Sequence, residues 1–81
     1  MNIIYSKQSA KAIDRMDNII KQRIKAAIEQ LPDGDTKQIK GRGITTYRLR
    51  VGGWRILYFF EDSGTIQIEK IAPRGGAYKG V

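Results

Sequence analysis

The sequence contains neither cysteine nor histidine. Without cysteine it can form no disulfide scaffold and no thiolate metal site. Without histidine it lacks the commonest metal ligand and the side chain that most often exchanges protons near pH 7. No apolar run approaches the ~20 residues that a membrane-spanning helix needs, and the first residues lack the basic and apolar segments of a signal peptide. We therefore expect a cytoplasmic protein without metal or cofactor.

Positive charge is what the sequence has in excess. Fifteen Lys and Arg against eight Asp and Glu give a formal charge of +7 in 81 residues. A chain of this length predicts one domain, residues 1–81, that buries about 60% of its unfolded surface. The positive electrostatic field of such a protein attracts phosphate backbones, anionic membrane surfaces or acidic proteins.

The N-terminal part predicts a strand and a helical hairpin. Residues 2–5 are short and apolar, which is typical of an edge strand. Ser6 is a candidate N-cap for a helix from Lys7 to about Met16. Asp17 can cap a second helix from about Asn18 to Leu31, whose apolar residues form one stripe at helical spacing. The short link predicts that the two helices pack antiparallel.

A β-hairpin is predicted after a polar loop over residues 33–43. The basic residues of this loop are Lys37, Lys40 and Arg42. From Thr45 the apolar positions recur every second residue, and Gly52-Gly53 predicts a two-residue turn because both positions need a positive φ. The predicted pairs are Val51 with Trp54, Arg50 with Arg55, Leu49 with Ile56, Arg48 with Leu57 and Tyr47 with Tyr58. The apolar face of this hairpin is expected to cover the helices.

A third strand of this sheet is predicted from about Thr65 to Ala72, after a three-residue loop at 62–64. This spacing places Ile66 and Ile68 on the apolar face beside Tyr58 and Phe60. The same alternation places Lys70 on the apolar face, from which its long side chain would have to reach solvent. The predicted order is β-α-α-β-β-β, an α+β fold with a helical hairpin on one face of a mostly antiparallel sheet.

Three arginines share the other face of the hairpin. They are Arg48, Arg50 and Arg55, which we call the arginine cluster. Like charges directly opposite each other destabilise a sheet, so the cluster has no value for stability. Guanidinium groups suit bidentate contacts to phosphate, and we interpret the cluster as a phosphate site. The alternative is a solvated face balanced by Glu61 and Glu69, with Glu69 expected opposite Leu57.

The glycine-rich C-terminal segment contains one aromatic ring close to basic residues. Tyr78 follows Arg74 by four residues and precedes Lys79. An exposed ring beside basic groups can stack on an unpaired base. The alternative is a tyrosine packed against the edge of the sheet.

Residues 47–58, Tyr-Arg-Leu-Arg-Val-Gly-Gly-Trp-Arg-Ile-Leu-Tyr, resemble the central hairpin of RelE/ParE-type bacterial toxins. Residues 71–79 resemble the C-terminal arginine–tyrosine segment of the same superfamily. The resemblance implies the RelE-like fold and, for RelE-like members, an endonuclease that cuts mRNA in the ribosomal A site. In that reaction the 2′-hydroxyl of the RNA attacks the adjacent phosphate and leaves a 2′,3′-cyclic phosphate. It also implies a cognate acidic antitoxin, bound in a hetero-oligomer.

The resemblance also implies which residues act. The catalytic positions are Arg48, Arg50, Arg55, Arg74 and Tyr78. Apart from the resemblance, the basic residues of the loop and the tail are expected to contact RNA; they are Lys37, Lys40, Arg42 and Lys79. Relatives often carry lysine on the first strand and histidine where Pro73 stands. Because arginine does not release its proton in proteins, the implied role of the cluster here is electrostatic stabilisation of the phosphorane.

Two other functions remain open from the sequence. A ParE-like member would inhibit DNA gyrase by binding it, without chemistry of its own. A basic RNA-binding module without toxicity would use the same positive face. Measuring mRNA cleavage and DNA damage after induction separates the RelE-like nuclease from the ParE-like inhibitor. Measuring growth after induction tests whether the protein is a non-toxic RNA-binding module.

Overall fold

Two helices lie on one face of a five-stranded sheet in the computed structural model, which describes residues 1–39 and 43–73. The elements are β1 (Asn2–Tyr5), α1 (Lys7–Asp14), α2 (Asn18–Glu29), β2 (Thr36–Ile39), β3 (Thr46–Val51), β4 (Trp54–Asp62) and β5 (Thr65–Pro73). The strand order is β1-β5-β4-β3-β2, in which β1 runs parallel to β5 and the other neighbours are antiparallel. The predicted α+β fold is confirmed.

Both helices begin at the predicted caps. The side chains of Ser6 and Asp17 each accept a hydrogen bond from the backbone N–H three residues on, at 3.0 and 3.1 Å. Each helix ends two residues earlier than predicted, because the N–H groups of Met16 and Leu31 bond to carbonyls three residues back, in a tighter final turn. Neither helix of the described chain is long and apolar enough to cross a membrane.

The predicted loop at residues 33–43 is wrong in part, because four of its residues form β2. Thr36 pairs with Leu49 and Lys37 with Arg48, so β2 covers the edge that β3 would otherwise expose. One more hydrogen bond joins the two segments just before β2 begins: the Arg50 N–H donates to the Asp35 carbonyl at 3.0 Å. The order of elements is therefore β-α-α-β-β-β-β.

The β3–β4 hairpin has the predicted register at all five positions. Gly52 lies at φ 57° in the turn, which is a conformation that glycine adopts without strain. The hairpin contributes its apolar face to the core. The buried apolar residues of this core are Ile13, Ile24, Ile28, Leu31, Leu49, Ile56, Tyr58, Ile66, Ile68 and Ile71.

The predicted register of β5 is wrong beyond Ile68, because the strand contains a β-bulge. Tyr58 pairs with Ile68 as expected, but the next pair is Leu57 with Lys70, so Glu69 has no partner on β4. A one-residue insertion moves every later side chain to the opposite face. Lys70 therefore leaves the core face, and Ile71 takes its place in the core.

Two serines at the start of the first helix, the N-cap Ser6 and Ser9 of α1, form hydrogen bonds to this bulge. Ser9 is fully buried and its hydroxyl donates to the Ile68 carbonyl at 3.1 Å. The Ser6 hydroxyl lies 2.8 Å from both the Glu69 carbonyl and the Ser9 hydroxyl oxygen, and it has one proton for the two contacts. The bulge is thus held by hydrogen bonds from a helix about sixty residues earlier in the chain.

The second turn of the antiparallel sheet is also shorter than predicted. Asp62 pairs with Thr65, which leaves a two-residue turn instead of a three-residue loop. An irregularity between Phe60 and Asp62 preserves the expected pairing of Phe60 with Ile66. The Asp62 side chain accepts a hydrogen bond from the Gly64 N–H at 2.8 Å and stabilises the turn.

Candidate nucleic-acid interface

The face of the sheet away from the helices carries five basic residues around an apolar floor. Cross-strand pairing aligns Lys37, Arg48, Leu57 and Lys70 in one row. The next row contains Arg50, Arg55 and Ala72. Leu57 and Ala72 are both buried and form a small second apolar cluster, against which Ile39 packs. Neighbouring strands lie about 4.8 Å apart, so the long basic side chains can converge on one anion above this floor.

The most unusual member of the arginine cluster is Arg48. Its side chain is only 11% exposed, and its Nη1 atom is buried without a hydrogen-bond partner. A buried donor that has no acceptor costs about 1–3 kcal/mol, and more when it is charged. The nearest carboxylate oxygen, Oδ1 of Asp35, lies 3.7 Å from Nη1, which is beyond hydrogen-bonding distance. Arg48 therefore has an unused donor for an acceptor from outside the described residues.

Arg50 and Arg55 are held differently from Arg48. Arg50 is half exposed and donates through Nε to Oδ2 of Asp35 at 2.7 Å, a short charge-assisted hydrogen bond. Arg55 is half-buried, and its Nη1 donates to the carbonyl of the preceding Trp54 at 3.4 Å. Register places Arg50 and Arg55 directly opposite each other. The two guanidinium groups therefore repel each other, and an anion between them would relieve that repulsion.

Asp35 is the acidic residue that contacts this cluster in the described chain. The hydrogen bond from Arg50 holds the pKa of its carboxyl below the usual value, and the charges of Arg50, Arg48 and Arg55 act in the same direction. Burial has the opposite, smaller effect. The carboxylate stays ionised at neutral pH. Sequence reasoning missed this residue, because Asp35 lies in a turn where aspartate usually serves the turn itself.

The acidic residues that were expected to balance the cluster do not do so. The bulge removes Glu69 from its predicted position opposite Leu57 and puts Lys70 there instead. Glu61 accepts a hydrogen bond from the Gln67 side chain at 3.2 Å. Compared with the prediction, the face opposite the helices loses one negative charge and gains one positive charge. Sequence alternation alone could not find Lys70, because the bulge is hydrogen-bonded to Ser6 and Ser9 at the start of α1, far away in the sequence.

Comparison with known proteins identifies the family. The sequence model described as "ParE toxin of type II toxin-antitoxin system, parDE" matches residues 3–78. The chain is a RelE/ParE superfamily toxin of a type II toxin–antitoxin system. No curated protein matches the toxin in sequence.

Solved structures place the toxin in the same superfamily. It is similar to the archaeal RelE–RelB complex from Pyrococcus horikoshii OT3, with 26% identity, 93% of this chain and 96% of that chain covered, and a TM-score of 0.72. It is also similar to the RelB–RelE complex from Methanococcus jannaschii, with 28% identity, 93% and 94% coverage, and a TM-score of 0.72. The RelBE2 complex from Mycobacterium tuberculosis has the same fold at 20% identity, with 90% and 96% coverage and a TM-score of 0.64.

The structure of the toxin brings part of the predicted site together. The residues that it places on one face are Lys37, Arg48, Arg50 and Arg55. The predicted residues outside the described ranges are Lys40, Arg42, Arg74, Tyr78 and Lys79. The roles expected for all nine residues stay predictions.

Proposed function

We propose that this toxin is a ribosome-dependent mRNA endonuclease that cuts in the A site. The observation that carries the proposal is the arginine cluster itself, in which Arg50 lies directly opposite Arg55 and the mostly buried Arg48 has no hydrogen-bond acceptor for Nη1 within residues 1–39 and 43–73. An RNA phosphate supplies oxygen acceptors and negative charge together, and the single carboxylate of Asp35 provides these for only part of the cluster. Arginine forks are well suited to that geometry.

The proposed reaction is an internal transesterification. The 2′-oxygen of the nucleotide forms a bond to the adjacent phosphorus and gives up its proton to a base. The bond between phosphorus and the 5′-oxygen breaks, and the 5′-oxygen takes up a proton as it leaves. The products are a 2′,3′-cyclic phosphate and a 5′-hydroxyl. The arginine cluster stabilises the extra negative charge on the phosphorane, a contribution that is often the largest in such catalysis.

The other predicted residues have supporting roles in this proposal. Arg74 adds a further positive charge at the phosphate, and Tyr78 stacks on an unpaired base or moves a proton through its hydroxyl. The remaining basic residues contact neighbouring phosphates; they are Lys37, Lys40, Arg42 and Lys79. Together they bind the message through its backbone, so affinity falls as salt rises.

We also propose that an acidic antitoxin binds this toxin. The structures from P. horikoshii and M. jannaschii contain RelE together with RelB. The charge of +7 attracts a partner of opposite sign, and an acidic segment that folds on binding could place carboxylates near the arginine cluster. Association should slow markedly with rising salt. A rate insensitive to salt would contradict this electrostatic picture.

The decisive experiment compares Arg55→Ala with Arg15→Ala in a cell-free translation reaction. Both variants lose one arginine, but Arg15 is exposed at the end of α1, on the helix side of the molecule. We expect Arg55→Ala to abolish mRNA cleavage and to remain folded, with about 0.2–1 kcal/mol of cross-strand repulsion removed. Arg15→Ala should cut at the wild-type rate.

Two further measurements complete the test of cleavage. Primer extension should map cuts to translated codons, and cleavage should stop when ribosomes are kept off the message. A 2′-O-methyl group on the attacked nucleotide should block the cut. Wild-type cleavage by folded Arg55→Ala would contradict the assignment of the cluster.

Inhibition of DNA gyrase is the second candidate, because the matching family model is described as a ParE toxin. In that case the toxin should block gyrase supercoiling of plasmid DNA and leave mRNA intact. Measuring supercoiling with the same three proteins separates the candidates directly.

A further inference from the structure

Asp35 is attached to the arginine cluster through two different groups, its backbone carbonyl and its carboxylate. Its carbonyl accepts the Arg50 N–H at 3.0 Å, and its carboxylate accepts the Arg50 Nε at 2.7 Å. The same residue is therefore bound to Arg50 through both its backbone and its side chain. Its second carboxylate oxygen faces Arg48 Nη1 at 3.7 Å. One carboxylate thus directs an oxygen at each of two arginines.

We infer that Asp35 is a positioning residue of the phosphate site, which fixes the Arg50 guanidinium and draws Arg48 toward it. The link to RNA rests on the proposed function, whereas the positioning of Arg50 rests on the contacts themselves.

The choice of Nε as the bonded atom supports this role. A guanidinium group has five N–H donors, and the contact with Asp35 uses the one nearest the chain. The four donors on the terminal nitrogens then keep a fixed direction and can form a fork to phosphate oxygens. Without the carboxylate, Arg50 would rotate freely and would be pushed away by Arg55 opposite.

Positioning and charge have opposite effects here, which makes the inference testable. A negative charge close to the phosphate weakens RNA binding, so removing it should leave binding unchanged or tighter. The same change releases Arg50 and should slow the chemical step, because small displacements of a catalytic group cost a large factor in rate. A loss of rate without a loss of binding is the expected result.

Three variants separate the hydrogen bond from the charge. Asp35→Ala and Asp35→Asn both lose the charge, but asparagine keeps an oxygen acceptor for the Arg50 Nε. Asp33→Ala is the matched control, because Asp33 is an exposed carboxylate on the same segment and, among the residues that the structure describes, forms no ion pair with the cluster. Single-turnover cleavage on programmed ribosomes gives the rate. Binding to an uncleavable 2′-O-methyl oligonucleotide gives the affinity.

We expect the single-turnover cleavage rate of Asp35→Ala to be at least about tenfold lower than that of the wild type. Its affinity for the oligonucleotide should be no weaker than that of the wild type. Asp35→Asn should recover part of the rate, and Asp33→Ala should cut normally. Equal rates for the alanine and asparagine variants at position 35, or a wild-type rate for Asp35→Ala, would overturn the inference.

A measurement without RNA keeps this inference separate from the proposed function. The Arg50 Nε–H signal in an NMR spectrum, identified by its absence in Arg50→Lys, should exchange slowly with water in the wild type. It should exchange fast in Asp35→Ala and stay slow in Asp33→Ala. If the toxin cuts no RNA but this pattern holds, the proposed function fails and the positioning stands. If exchange is the same in all three proteins, the positioning is wrong.

Discussion

Replacing Ser6 by alanine should destabilise the toxin more than the loss of a helix cap alone. The Ser6 hydroxyl accepts the Ser9 N–H at 3.0 Å as the N-cap of α1, and such a contact is worth about 1 kcal/mol. It also lies 2.8 Å from the Glu69 carbonyl in the bulge, and this hydrogen bond, whose single proton is shared with the contact to the Ser9 hydroxyl, adds about 0.5–1 kcal/mol. We expect a total loss of about 1.5–2 kcal/mol.

Asp17→Ala is the matched control for this prediction, because Asp17 caps α2 through an equivalent bond from the Ile20 N–H at 3.1 Å and contacts no bulge. It should cost only about 1 kcal/mol. Urea unfolding measures both free energies, provided that the slope against urea concentration is unchanged. In a domain of this size 1 kcal/mol corresponds to about 4–8 °C in Tm, so the two variants should be clearly resolved. If Ser6→Ala is no less stable than Asp17→Ala, the hydroxyl does not hold the bulge.

Three further predictions concern Lys70, Gly34 and Asp35. Lys70→Gln should weaken RNA binding and reduce the slope of log affinity against log salt by about 1, whereas Lys25→Gln on α2 should change neither. Gly34→Ala should cost about 1–3 kcal/mol in urea unfolding, since Gly34 has φ 113° and an added Cβ would lie 3.3 Å from a leucine methyl group of β3. The pKa of Asp35 is lower in the folded protein than in the unfolded chain, so its carboxylate stabilises the fold above the unfolded-state pKa, and this stabilisation is lost as pH falls through the folded-state pKa. The free energy of unfolding should therefore fall less steeply on acidification in Asp35→Asn than in the wild type.

Local rules in the sequence were enough to predict the β3–β4 hairpin and with it the arginine cluster. A two-residue glycine turn allows one register, and that register determines which residue lies opposite each arginine. The caps at Ser6 and Asp17 were equally local. Each of these features depends on residues within a few positions of one another.

The features that sequence reasoning missed depend on contacts between distant segments. β2 is short and polar, and its strand conformation comes from pairing with β3. The bulge at Glu69 is held by serines of the first helix, so alternation along β5 assigned Lys70 to the wrong face. Asp35 reaches the arginines only because β2 pairs where it does. Polar contacts of this kind leave no periodic pattern in a sequence.

The parallel pairing of β1 with β5 also determines how fast the parts of this sheet can form. The β3–β4 hairpin joins neighbouring segments and can assemble within microseconds, whereas Tyr5 must find Ile68 across almost the whole chain. We therefore expect the β3–β4 hairpin with its arginine cluster to form early and the pairing of β1 with β5 to form late. Substitutions in β1 should mainly accelerate unfolding, and substitutions in the hairpin should mainly slow folding. Of the five basic residues of this face, we thus expect the three arginines on the hairpin to come together first, and Lys37 and Lys70 to join when β2 and β5 pair.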